Sequence, residues 1–154
     1  MSPALLRRVM NFWPPLLGAG IRVQHITPDW RDVEVRLRAR WWNRNANGVM
    51  FGGSLFAMTD PWFPLMLHAN LGRDYVVASR SGQISFEAPG LDLAIARFSL
   101  SEEQIEAVRS AAANGARTLP SFDATVTDPE GKILARVTHV VYVRRKPSAA
   151  QRAG

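Results

Sequence analysis

The spacing of apolar and polar positions changes repeatedly along the chain, and each change marks an element. Leu5, Leu6, Val9, Met10 and Trp13 recur at helical spacing, which predicts a short amphipathic helix over residues 3–13. Pro14-Pro15 breaks or restarts it, and Gly18 to Gly20 ends it. Residues 21–26 read as a strand. Val33, Val35, Leu37 and Ala39 then alternate with Glu34, Arg36, Arg38 and Arg40, a second strand with one wet face. Residues 41–53 are rich in Asn and Gly and predict a turn-dense loop. Residues 54–71 are the most apolar stretch and predict a helix buried on most sides, with a kink or restart at Pro61 and Pro64. Strands follow over 75–86 and 91–100. Ser101 and Gln104 form a capping box that opens a helix reaching about residue 113. Two more strands, 117–127 (interrupted by Pro120) and 132–145, flank the turn Asp128-Pro129-Glu130-Gly131.

The order is helix, two strands, buried helix, two strands, short helix, two strands. That is an α+β arrangement in which a largely antiparallel sheet packs on one long apolar helix. The expected organisation is one domain over residues 1–146, with a flexible tail at 147–154 rich in small and polar residues. One sheet around one helix leaves an edge and the helix ends in need of partners, so a homodimer or higher homo-oligomer is expected.

Composition narrows the chemistry. The chain has 154 residues, 47% of them hydrophobic and 21% charged, which is globular rather than disordered. It has no cysteine, so disulfides, thiolate metal sites and cysteine nucleophiles are excluded. Its three histidines, His25, His68 and His139, are far apart in sequence, and no metal site is expected. His68 and His139 read as structural. No run of 18 apolar residues is present to span a membrane. The net charge of +6 comes almost wholly from arginine, since only Lys132 and Lys146 are lysines. Arginine's planar fork suits phosphate and carboxylate. Arg36, Arg38 and Arg40 beside Trp41-Trp42 suggest a nucleic-acid face, but no nucleic-acid motif accompanies them.

Candidate chemistry concentrates before the apolar helix. Backbone N–H groups at a helix N-terminus have no partner within the helix, and Gly52-Gly53 would let a substrate carbonyl approach them closely. Paired glycines also make a tight loop-to-helix turn. Asp60 lies seven residues on, about two turns or roughly 10 Å along a helix. Among Phe56, Met58, Trp62 and Phe63 it is placed to act as a general base or nucleophile. Thr59-Asp60-Pro61 also reads as an N-cap followed by proline.

The run Asn45, Gly48, Phe51-Gly52-Gly53 and Asp60 resembles the signature of hotdog-fold acyl-CoA thioesterases of the phenylacetate-pathway type. That signature is Asn, two residues, Gly, two residues, His-Gly-Gly, then an Asp in the first turns of the central helix. Phe51 stands where those enzymes carry histidine. The short helix from Glu102, between two late strands, resembles a hotdog subfamily of mostly uncharacterised thioesterase-like proteins. In element order the similarity covers residues 20–146.

The resemblance implies a hotdog fold, a curved antiparallel sheet wrapped around one long buried helix. It implies acyl-CoA thioester hydrolysis in the cytoplasm, with Asp60 as base or nucleophile, Gly52 and Gly53 as the oxyanion hole, and Asn45 assisting. Asn45 also reads as an ordinary turn asparagine. Phe51 and Gly48 would line the substrate site. Ser79 or Ser81 of a facing subunit would hold the attacking water, and Arg144 and Arg145 would meet the phosphates of coenzyme A. Those serines and arginines also read as solvent-facing sheet and strand-end residues. No cofactor is implied beyond coenzyme A within the substrate. The expected partners are an acyl-CoA or related thioester and further copies of the chain, in a homodimer or homotetramer, with no nucleic acid and no membrane. Phe51 also favours a second reading, a non-catalytic acyl-CoA or fatty-acyl binding protein. A dehydratase or hydratase on the same fold ranks last, because no histidine lies within the Asn45–Asp60 motif.

Overall fold

Sequence patterns account for each element in turn. The computed structural model describes residues 2–147, so the expected tail lies, from residue 148 onward, outside the described residues. The Ser2 hydroxyl accepts from the Leu5 N–H and starts α1 (Pro3–Phe12), which buries Leu6 and Met10. Pro14 biases Trp13 to an extended backbone, so the chain stops and restarts as α2 (Pro14–Ala19). Gly20 ends α2 at φ +80, and the space its Cβ would need is filled by the Asn43 amide.

Two strands follow, β1 (Ile21–Ile26) and β2 (Asp32–Arg38). Val33, Val35 and Leu37 of β2 turn inward as the alternation requires. The apolar stretch after the loop is two helices, not one: α3 (Gly52–Ala57) and α4 (Trp62–Leu71). Pro61 cannot donate a helical hydrogen bond and its ring would clash with the preceding turn, so the helix breaks at residues 58–61. Pro64 falls in the first turn of α4, where no intrahelical N–H is needed, and is accommodated.

The remaining elements are β3 (Tyr75–Phe86), β4 (Leu93–Ser99), α5 (Glu102–Ala111), β5 (Arg117–Thr118), β6 (Ser121–Thr127) and β7 (Ile133–Arg145). The capping box at Ser101 and Gln104 is present. Pro120 separates β5 from β6.

The strands form one antiparallel sheet in the order β1-β2-β4-β6-β7-β3, with β5 also on β7. Helix α4 sits against its inner face. Phe63 stacks on Phe122 at 5.0 Å and meets Phe98 edge-on at 5.4 Å. The Trp62 indole donates to the Met58 carbonyl at 2.7 Å, which keeps its polar atom satisfied in the core.

The two edges of the sheet differ. At β1, the Asn11 side chain of α1 accepts from the Val23 N–H (2.7 Å) and donates to the Val23 carbonyl (3.1 Å), imitating a neighbouring strand. At β3, nine of twelve residues are exposed, so that edge is open along almost its whole length.

Candidate active site

The loop before α3 is a chain of local hydrogen bonds. Asn43 is buried at its base. Its amide accepts from the Arg40 N–H and donates to the carbonyls of Ala19 and Arg38, while its backbone carbonyl receives the Phe51 N–H. Arg44 bridges Met50 and donates to the carbonyls of Gly48 and Leu91. Asn45 folds back on its own loop, its Oδ1 accepting from the N–H groups of Asn47 (2.9 Å) and Val49 (3.3 Å). That is turn chemistry. Gly48 makes the turn at φ +75. Asn43, which joins this loop to α2 and β2, carries no sequence signal that sets it apart from Asn45.

The result aims the first turn of α3. The Phe51 carbonyl receives the N–H groups of Ser54 and Leu55, and Gly52 and Gly53 occupy the positions whose N–H groups have no partner within a helix. Each glycine lies against an aromatic ring that a side chain would have to displace. A Cβ on Gly52 would meet the Phe86 ring at 2.9 Å, and one on Gly53 would run into the Phe51 ring. Both rings are 55% exposed. Phe51 and Phe86 thus make an apolar border around the two glycines, one from the loop and one from the open strand β3.

Asp60 sits in the break between α3 and α4. It is exposed and makes no hydrogen bond or ion pair with the described residues. The N-cap of α4 is Pro61, with no side-chain capping bond, so Asp60 does not restart the helix by capping it. The apolar enclosure expected around it is absent within one protomer: Met58, Trp62 and Phe63 are buried in the core, away from the exposed carboxylate. The break also removes the continuous two-turn spacing expected between Gly53 and Asp60.

Beside Asp60 the structure places a residue that sequence reasoning gave no part in the site. His139 of β7 is 2% exposed, and its Nε2 lies 3.2 Å from the Thr59 hydroxyl. The hydroxyl proton goes to the Phe56 carbonyl at 2.7 Å, so His139 is the donor and carries its proton on Nε2. Its ring stacks on Phe56. Burial lowers the His139 pKa, and the Asp60 charge works against that shift. Gly82 pairs with His139 across β3 and β7, and a Cβ there would meet Phe56 at 2.8 Å and His139 at 3.0 Å. The motif therefore does have a histidine beside it, contributed from 80 residues away.

The other expected site residues separate. Ser79 and Ser81 are exposed on β3, either side of a bulge at Arg80, close in sequence to Gly82. Arg144 and Arg145 lie at the far end of β7, donating to the carbonyls of Gly115 and Ala113. Arg144 is five residues from His139, about 17 Å of strand. Among the described residues no three His, Asp or Glu side chains come together as a metal site.

Several solved structures share this architecture. A Pseudomonas aeruginosa protein of unknown function, named as a probable thioesterase, superposes with a TM-score of 0.82 at 18% identity, over 94% of this chain and 97% of that one. A thioesterase from Haemophilus influenzae gives 0.69 at 12% identity, over 97% and 94% of the two chains. A protein of unknown function from Chlorobaculum tepidum gives 0.74 at 13%, over 94% and 98%. No curated protein matches the sequence. The fold is the hotdog fold that the resemblance implied, shared with thioesterase-like structures. Residues 2–143 match the model of a domain of unknown function, DUF4442, and the chain belongs to that family.

Proposed function

We propose that the protein hydrolyses an acyl-CoA or related thioester at the surface between Gly52-Gly53 and Asp60, in the cytoplasm, with no cofactor beyond the coenzyme A of the substrate. The observation that carries this is the exposed, unpartnered Asp60 carboxylate on the same short segment as two glycines whose side-chain space is closed by aromatic rings. The Haemophilus influenzae thioesterase and the probable thioesterase from Pseudomonas aeruginosa, which share the fold, support it.

In this reading the thioester oxygen accepts from the Gly52 and Gly53 N–H groups. Helix α3 has six residues and a small dipole, so these two donors carry the role themselves. Asp60 takes a proton from water, and the water oxygen adds to the carbonyl carbon. The C–S bond then breaks and the proton passes to the leaving sulfur, giving a carboxylic acid and a thiol. Phe51, Phe86 and the Gly48 turn border the acyl group. The open strand β3 of a second copy pairs with β3 and closes the site, bringing Ser79 or Ser81 of the partner subunit toward the water. Arg144 and Arg145 stand far enough along β7 to suit the phosphates at the distant end of coenzyme A.

Phe51 favours a second reading, an acyl-CoA binding protein without turnover, since phenylalanine cannot donate a hydrogen bond to the substrate. One assay separates the two. The purified protein is offered acyl-CoAs from acetyl to palmitoyl, and thiol release is followed beside Asp60→Ala. Release that collapses in the variant is expected. Binding without release selects the second reading, and release that survives Asp60→Ala removes Asp60 from the mechanism.

A further inference from the structure

Among the described residues, seven of the twelve large apolar side chains left exposed belong to the N-terminal helices and the loop after β2: Leu5, Val9, Phe12, Trp13 and Leu17, with Trp41 and Trp42. Trp41 is 86% exposed and Phe12 75%. This exceeds the single scattered hydrophobics of an ordinary surface. On α1, Leu6 and Met10 face the core, while Leu5, Val9 and Phe12 form a second stripe at i, i+4 and i+7 that the core does not cover. The loop tryptophans adjoin α2. The Trp42 indole donates to the Gly18 carbonyl at 3.0 Å and meets Trp41 edge-on at 5.5 Å. Leu17 and Trp42 line one groove of about 380 Å³ together with Arg22, Arg36, Arg38 and Arg40. Arg22 reaches the Asn11 carbonyl near the end of α1 at 2.6 Å.

The charge of this face is one-sided. The charged side chains that line the groove are all arginines, Arg22, Arg36, Arg38 and Arg40. Arg22 and Arg36 lie directly opposite each other across β1 and β2, an unfavourable pairing of like charges. The acid that reaches it is Glu34, which is already bonded to both Arg36 and Arg97. Burial pushes Glu34 up, but those two hydrogen bonds hold it below the usual carboxylate range, so it stays ionised and occupied.

We propose that this face docks on an anionic phospholipid membrane. Arginines would meet lipid phosphates, the indoles would sit at headgroup level, and Phe12 and the α1 stripe would enter the acyl boundary. A second copy is disfavoured as the occupant, because symmetry would set the same arginines against one another without an acid to receive them. Nucleic acid is disfavoured because Leu5, Val9 and Leu17 neither stack on bases nor read their edges. The sequence expectation of no membrane partner rested on the lack of a spanning run, and lying on a surface needs none. The face is at the β1 end of the sheet, opposite the open strand β3, so pairing through β3 leaves it free.

The test is co-sedimentation of the full chain with vesicles of phosphatidylcholine alone, or of phosphatidylcholine and phosphatidylglycerol in equal parts, with tryptophan emission recorded. Capture by the anionic vesicles, a blue shift, and weakening by salt are expected. Phe12→Ser with Trp41→Ser, and separately Arg38→Glu with Arg40→Glu, should each weaken capture on the order of tenfold or more. These side chains are exposed, and circular dichroism checks that the variants fold. Equal capture by neutral vesicles, or capture indifferent to either pair, overturns the proposal. So does tighter binding to glycerol phosphate or an oligonucleotide in solution that the Phe12/Trp41 pair leaves unchanged, or a change of oligomer mass in that pair.

Discussion

Asp60 and His139 stand on either side of Thr59, one in water and the other in the core, and their chemistry separates accordingly. Asp60→Asn should leave urea stability at neutral pH within about 0.5 kcal/mol, as for a surface change, while thiol release is lost. His139 answers to acid. Burial lowers its pKa, so the unfolded chain takes up the proton at a higher pH than the folded one. Its stabilising contribution is complete above about pH 6.5 and falls away as the pH drops below it. Urea midpoints at about pH 7 and pH 5 should therefore differ, and the difference should shrink in His139→Phe. In Asp60→Asn it should grow, because the charge that opposes the shift is gone. The depressed carboxylates Asp29, Glu34 and Glu103 titrate in a lower window and do not mask the effect. None of the His139 role was legible in the chain. Its alternation in β7 shows only that it points inward, and the hydroxyl it meets is 80 residues away.

At the scale of elements, close packing decides more than propensity. Gly82 lets β3 lie against Phe56 and His139, so Gly82→Ala should cost about 1–3 kcal/mol by thermal or urea unfolding. Gly53→Ala should cost less, because the ring it meets belongs to the half-exposed Phe51, which can move. Asn43→Ala leaves the Ala19 and Arg38 carbonyls and the Arg40 N–H without their partner. About 2–3 kcal/mol should be lost, together with the fixed entry into α3. Most element positions were readable, since period-two strands, the capping box and the proline and glycine stops are all local signals. The break between α3 and α4 was half readable. Pro61 announces a restart, but an all-round apolar pattern does not show that Asp60 would be left in solvent. Asn43 and Asn45 look alike in sequence, and only the contacts of the first with α2 and β2 tell them apart.

For the whole molecule, the guarded and open edges of the sheet set the expectation. Asn11 closes β1, while β3 is paired with β7 on one side and open along the other. Light scattering should give at least twice the 17.1 kDa chain mass, and Ala78→Pro, in the exposed middle of β3, should lower it. The fold class was legible because element order and one signature loop agree over most of the chain. The acyl group was not, because Phe51, Phe86 and the second copy shape its space jointly. The strand order carries a consequence for how the chain reaches this state. Strand β3 and α3 are made early, yet β3 pairs with β7, and Thr59 waits for His139 in that same last strand. During synthesis nearly the whole chain must emerge before the region around Asp60 can close. Such distant pairing folds slowly, and until β7 arrives the exposed length of β3 is the part of the nascent chain most in need of protection.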